Sequence, residues 1–191
     1  MPTPALIAKA FELSALGSDS PARWDCVHTL YRRGEAEIFQ VARRWAAATV
    51  PSQRRLGADV LAKLGPLAIS GADRARPFTE PTVPILERLL DDVDAQVVAA
   101  AIYALHHHHA REPVTRRMAL AGHASRQVRK AVAVALGGAT GPAAVTTLVT
   151  LSGDDAEDVR DWATFGLGTM CDLDTPEILQ ALFVRLTDRH F

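Results

Sequence analysis

The stretch Val159-Arg160-Asp161-Trp162-Ala163-Thr164-Phe165-Gly166-Leu167-Gly168 follows an acidic turn, Gly153-Asp154-Asp155-Ala156-Glu157-Asp158. At about 100° per residue, Val159, Ala163 and Leu167 share one face of a helix, and Asp161, Trp162 and Phe165 lie away from it. Four upstream windows fall into the same register: Ala22–Tyr31, Leu56–Gly65, Val97–His106 and Val128–Gly137. Their second positions, 23, 57, 98, 129 and 160, are spaced by 34, 41, 31 and 31 residues. The first position is always apolar and the fifth is always small or apolar. The ninth is leucine throughout: Leu30, Leu64, Leu105, Leu136 and Leu167. One buried stripe repeated five times predicts a helical repeat.

A second apolar segment precedes each window: Pro4–Ala15, Glu35–Ala48, Pro81–Leu90, Pro113–Gly122 and Pro142–Leu151. Turn residues separate the two, among them Ser18-Asp19-Ser20-Pro21, Asp91-Asp92-Val93-Asp94 and Gly153-Asp154-Asp155, where Ser and Asp can accept from free helix N–H groups. The expected architecture is all-α, a right-handed α-α superhelix of about five helix pairs plus a C-terminal half repeat. It forms one domain over 1–191, with units near 3–33, 35–66, 81–109, 113–138, 142–170 and a partial unit 175–191. The Gly- and Pro-bearing segment 69–80 breaks the period and is expected to be a loop insertion. Leu182–Asp188 resembles the first helix of a sixth unit whose second helix is missing. That apolar end is expected to be covered by a partner or a second copy, or to belong to a truncated array.

Of the 191 residues 48% are hydrophobic, 23% charged and only 6% aromatic, the balance of an ordered helical protein. The net charge of -1 lacks the basic excess of a general nucleic-acid binder. Two cysteines, Cys26 and Cys171, form neither a disulfide framework nor a metal motif. With no signal peptide and no apolar run near the ~20 residues of a membrane span, a cytoplasmic protein is expected.

An Asp-rich turn followed by V-R-x-x-A-x-x-x-L-G resembles the HEAT-repeat superfamily, most closely the short bacterial type of the phycobilisome-lyase HEAT-like repeats. The match is tight at Asp154–Gly168 and Ser125–Gly137, fair at Asp91–His106, and loose before Gly65. The resemblance implies that the second helices line a concave face. It also implies that Arg129 and Arg160 are structural, bonded to turn carboxylates or carbonyls. In the first three windows Arg23, Gly57 and Val98 stand at that position and Arg23 follows Ala22, so a continuous Asp–Arg series is not expected in the N-terminal half.

Positions three, four and seven of each window are expected to face the groove. The candidate binding residues there are Trp24, Asp25, Asp59, Tyr103, Lys130, Asp161, Trp162 and Phe165: aromatic anchors with acidic spots. The run His106-His107-His108-His109 puts His106 and His109 on one helical face. No carboxylate joins them and no H-E-x-x-H occurs, so the run reads as a polar helix end that binds nickel or zinc opportunistically; His106 and His109 as metal ligands are the alternative, and no cofactor is expected. No catalytic motif is present. The paired His-Glu dipeptides of an iron hydroxylase of this fold are absent, since no His precedes Glu. The function expected is a non-enzymatic protein- or peptide-binding scaffold, its partner basic because of the acids. The alternatives on the same fold are a nucleic-acid-binding or alkylpurine glycosylase-like repair module and a chromophore-lyase-like factor. The acidic turn and the charge balance argue against duplex DNA.

Overall fold

A computed structural model of the chain describes residues 1–17, 20–65, 68–70, 73–75, 77–108, 114–139 and 141–187. Eleven α-helices are seen among them: α1 Thr3–Glu12, α2 Pro21–Arg33, α3 Ala36–Trp45, α4 Pro51–Leu61, α5 Thr79–Leu89, α6 Ala95–His107, α7 Val114–Ala119, α8 Arg126–Leu136, α9 Pro142–Leu151, α10 Glu157–Gly168 and α11 Pro176–Arg185. The local chemistry of the chain sets their starts. Proline, which has no N–H to lose, opens α2, α4, α9 and α11. The Asp94 carboxylate accepts from the N–H groups of Gln96 and Val97 at 2.9 and 3.2 Å, satisfying two orphan donors of α6. Ser20 and Thr175 hydroxyls do the same for α2 and α11. Gly34, at φ 62°, ends α2 in the left-handed conformation that glycine adopts without steric cost.

The chain forms two compact units, Met1–Ala110 with α1 to α6 and Arg111–Phe191 with α7 to α11. In the first, α1/α2, α3/α4 and α5/α6 are helix pairs, and α4 packs against both α2 and α6. In the second, α7/α8 and α9/α10 are pairs, α8 packs on α10, and α11 lies against α9 and α10. This is the all-α repeat class that the periodicity predicts.

The register of the second window differs from the sequence reading by three residues. Arg54, not Gly57, makes the contacts that Arg129 makes in α8. The Arg54 Nη1 group donates to the carbonyls of Ala48 and Thr49, six and five residues back, as Arg129 Nη1 donates to those of His123 and Ala124. Aligned on residues 23, 54, 98, 129 and 160, the repeats are spaced by 31, 44, 31 and 31. The period is uniform except for one insertion. The leucine column survives with Leu61 in place of Leu64, and Leu30, Leu61, Leu105, Leu136 and Leu167 are at most 1% exposed. Each such leucine contributes about 1.5–3 kcal/mol through burial.

The surplus residues lie between α4 and α5. Ala68–Ser70 (β1) and Asp73–Ala75 (β2) pair antiparallel with Ile69 opposite Arg74. The segment expected as a plain loop over 69–80 thus includes a short hairpin, and α5 begins at Thr79. Residues 66, 67, 71, 72 and 76 lie outside the described residues, as do Ser18 and Asp19 of the first turn.

Candidate functional site

The frame that aims the second helices is a repeated arginine–aspartate clasp. In the first unit, Arg54 Nε and Nη2 donate to the two carboxylate oxygens of Asp92 at 2.6 and 2.8 Å. In the second unit, Arg129 Nε and Nη2 donate to Asp154 at 2.7 and 2.8 Å, and Nη2 also reaches Asp155 at 2.7 Å. Each aspartate also accepts a backbone N–H two residues on, Asp94 and Ala156 respectively, both at 2.9 Å. One carboxylate therefore closes the turn and holds the preceding repeat's helix. Burial would raise the pKa of Asp92 and Asp154, but the arginine and backbone hydrogen bonds outweigh it and hold both below the usual carboxylate range. Arg160 donates through Nη1 to the carbonyls of Asp154 and Asp155 at 2.9 and 3.1 Å.

The candidate groove residues fall in two sets. In the first unit, Trp24 is half-buried, with the Arg23 guanidinium carbon 5.3 Å from its ring centroid and His28 packed at 5.7 Å. His28 in turn meets Tyr31 at 5.3 Å, which extends an aromatic run along α2. Asp25 is exposed beside a pocket of about 350 Å³ between α1 and α2, which Cys26, Lys9 and Arg33 also line. Tyr103 is half-buried on α6.

Asp59 is not a groove residue. Its side chain is 11% exposed and its carboxylate is bound by Arg23, itself 1% exposed. Arg55 lies in the same interior cluster, donating to the Gln96 side chain and to the carbonyls of Ser14 and Leu16. Burial raises the Asp59 pKa, against the pull of Arg23 and Arg55, and burial together with repulsion from Arg23 lowers that of Arg55. Sequence periodicity places Asp59 away from the core; the two buried arginines draw it inward. Arg23 shares the second column with Arg129 and Arg160, for which the resemblance implies a structural pairing with acidic groups.

In the second unit the outward face of α10 gathers its residues. Trp162 and Phe165 are 39% and 45% exposed, with ring centroids 5.8 Å apart and planes at 83°. Such an edge-to-face pair is a favourable arrangement of aromatic quadrupoles. Glu157 and Asp161 are exposed on the same helix. Lys130 of α8 is half-exposed and its ammonium lies 3.3 Å from Asp158, which balances that carboxylate's charge. In the corrected register the Trp162 position is Leu56 in α4 and Ala131 in α8, both fully buried. A large ring where those repeats carry a buried aliphatic side chain makes the α10 face distinctive.

The histidine run divides. His108 is buried, its Nε2 hydrogen-bonded to the Leu61 carbonyl at 2.9 Å and its Nδ1 to the Thr79 hydroxyl at 3.1 Å, so it ties α6 to α4 and α5. His106 and His107 are half-buried with rings 5.6 Å apart, and His109 lies outside the described residues. Among the described residues, no three His, Cys, Asp or Glu side chains gather as a metal site would require. No helix among them is long and apolar enough to cross a membrane.

Comparison with known proteins places this architecture. The model of the family described as HEAT repeats matches residues 82–168. No curated protein matches the chain in sequence. An X-ray structure of YibA from Escherichia coli superposes with a TM-score of 0.79 at 22% identity, over 99% of this chain. The chain spans 66% of the length of that YibA chain. A designed armadillo repeat protein, solved in complex with peptide (KR)4, superposes with a TM-score of 0.51 at 14% identity, over 96% of this chain and 87% of its own. Residues 82–168, across the third, fourth and fifth repeats, thus match the HEAT-repeat family, and the chain as a whole shares the all-α repeat fold of these solved proteins.

Proposed function

We propose that this chain is a protein- or peptide-binding scaffold, and that the α10 face of its second unit captures a basic segment. The observation that carries the reading is the exposed Trp162–Phe165 pair flanked by Glu157 and Asp161. Indole and phenyl faces attract cations, the carboxylates add charge, and the aliphatic stems of Lys or Arg cover ring surface. Rigid stacked helices hold these groups in place before a ligand arrives, which lowers the entropic cost of binding. The fold supports a peptide partner, since the designed armadillo protein of similar fold was solved with peptide (KR)4. In the first unit, Trp24, Asp25 and Tyr103 are proposed as a separate contact set of that unit.

The test is a fluorescence-anisotropy titration with labelled peptide (KR)4 and an acidic control of equal length. The wild-type chain should bind the basic peptide and not the acidic one. Replacing Trp162 and Phe165 by Ala should weaken binding by roughly tenfold or more, since exposed aromatic anchors of this kind dominate interface energy. Equal affinity in the wild type and a folded double variant would refute the assignment of the site.

A further inference from the structure

The repeat period puts the surface charges of α8 and α10 in one frame. Arg126 and Lys130 on α8 stand 31 residues before Glu157 and Asp161 on α10, and at both positions the sign is reversed. Each pair is four residues apart and so forms a line along its helix. The two helices pack against each other within the second unit, and the Lys130 ammonium crosses to Asp158, in the first turn of α10, at 3.3 Å. Helix stability accounts for only part of this pattern. Glu157 lies in the first turn of α10, where the positive end of a helix favours an anion. Arg126 opens α8, a helix with no acid in its first turn, and puts a cation at that same end. Asp161 lies a turn further along α10, beyond the reach of the helix end. Arg126 and Asp161 are both exposed, and among the described residues no hydrogen bond or ion pair holds either. Neither charge is explained by the helix that carries it.

Building on the basic-peptide reading of α10, on which this rests, we propose that the partner segment carries both signs. Its basic stretch sits on Glu157, Asp161 and the aromatic pair of α10, and an acidic residue beside that stretch reaches Arg126 on α8. Lys130 already pairs with Asp158, so Arg126 is the cation assigned to the acid. Packed helices lie about 8–10 Å apart, roughly three residues of extended chain, so the acid falls within about two to four residues of the nearest base. A purely basic segment meets repulsion from Arg126 as well as attraction from the two carboxylates. The face thus has a way to favour a mixed segment over a basic one, by complementarity on one helix and repulsion on the other.

Fluorescence-anisotropy titrations of the full chain at low ionic strength test this. The probes are labelled peptides in which a basic block, (KR)2, is joined to an acidic block, (DE)2, or to a neutral block, (GS)2. Both orders are used, because either chain direction satisfies the charges. One acid-bearing order should bind about threefold or more tighter than its neutral counterpart, the scale of one or two exposed ion pairs. Repulsion from Glu157 and Asp161 alone would make an acidic block weaken binding, so a gain is diagnostic. Arg126→Ala, with unchanged helical circular dichroism, should erase the gain and leave affinity for the neutral-flanked peptide unchanged or slightly higher. Acid-bearing peptides that bind no tighter in either order, or a gain that survives Arg126→Ala, overturn the proposal while the basic-peptide reading stands. Failure of the wild-type chain to bind any of these peptides or (KR)4 overturns both.

Discussion

At the scale of single residues, the decisive interactions are charged groups with little access to water. Arg23 and Asp59 form such a pair in the first unit, with Arg55 beside them. Removing one member strands the others: Asp59→Ala should cost about 3–5 kcal/mol, measured by urea unfolding, because it leaves uncompensated buried cations. Replacing both Arg23 and Asp59 by apolar residues of similar volume should cost far less. Asp154 behaves differently, because its folded pKa lies below its unfolded one. The unfolded chain binds that proton more readily, so the stabilisation is present above the ordinary carboxylate pKa near about 4 and is lost as pH falls through the depressed value. Asp154→Asn should therefore cost about 1–3 kcal/mol at pH 7, with the gap between variant and wild type closing in the acid range. A gap that persists unchanged at the lowest pH at which both fold contradicts the clasp. Arg129 and Arg160 were legible because the intact V-R motif announces them. Arg54 was not, since Gln53 replaces the valine before it and the insertion that follows blurs the period.

At the scale of elements, the leucine column and the apolar segments before each window gave the helix pairs to within a few residues. The error lay in α4, where Leu61 and Leu64 both fit a leucine column and only the contacts of Arg54 separate them. Gly57 explains why that window looked different. A side chain there would meet the backbone of α3, with a Cβ 2.4 Å from the Ala46 nitrogen and 2.7 Å from the Ala42 carbonyl oxygen. The helices cross so closely that only glycine fits, whereas the equivalent positions hold Ala101, Val132 and Ala163. Gly57→Ala should thus destabilise by about 1–3 kcal/mol despite its better helix propensity, because the core must shift to admit the methyl group. A thermal melt at or above the wild-type midpoint contradicts that close approach. The hairpin β1/β2 left no alternating pattern, since three-residue strands are too short to show one.

At the scale of the molecule, composition and period were enough to read an all-α repeat protein, because a repeat states its core five times. The proposed binding face was only partly legible. A column on a helical wheel gives direction, not depth, and so could not separate exposed Asp161, Trp162 and Phe165 from buried Asp59. The central claim is that the α10 face takes a basic peptide. Of the three tryptophans, Trp24, Trp45 and Trp162, each gives one indole N–H resonance in an ¹H–¹⁵N correlation spectrum. Titrating peptide (KR)4 should shift the Trp162 indole and the backbone amides of Glu157–Phe165 in a saturable manner. Saturable shifts that bypass Trp162, or no shift at any peptide concentration, would contradict the account.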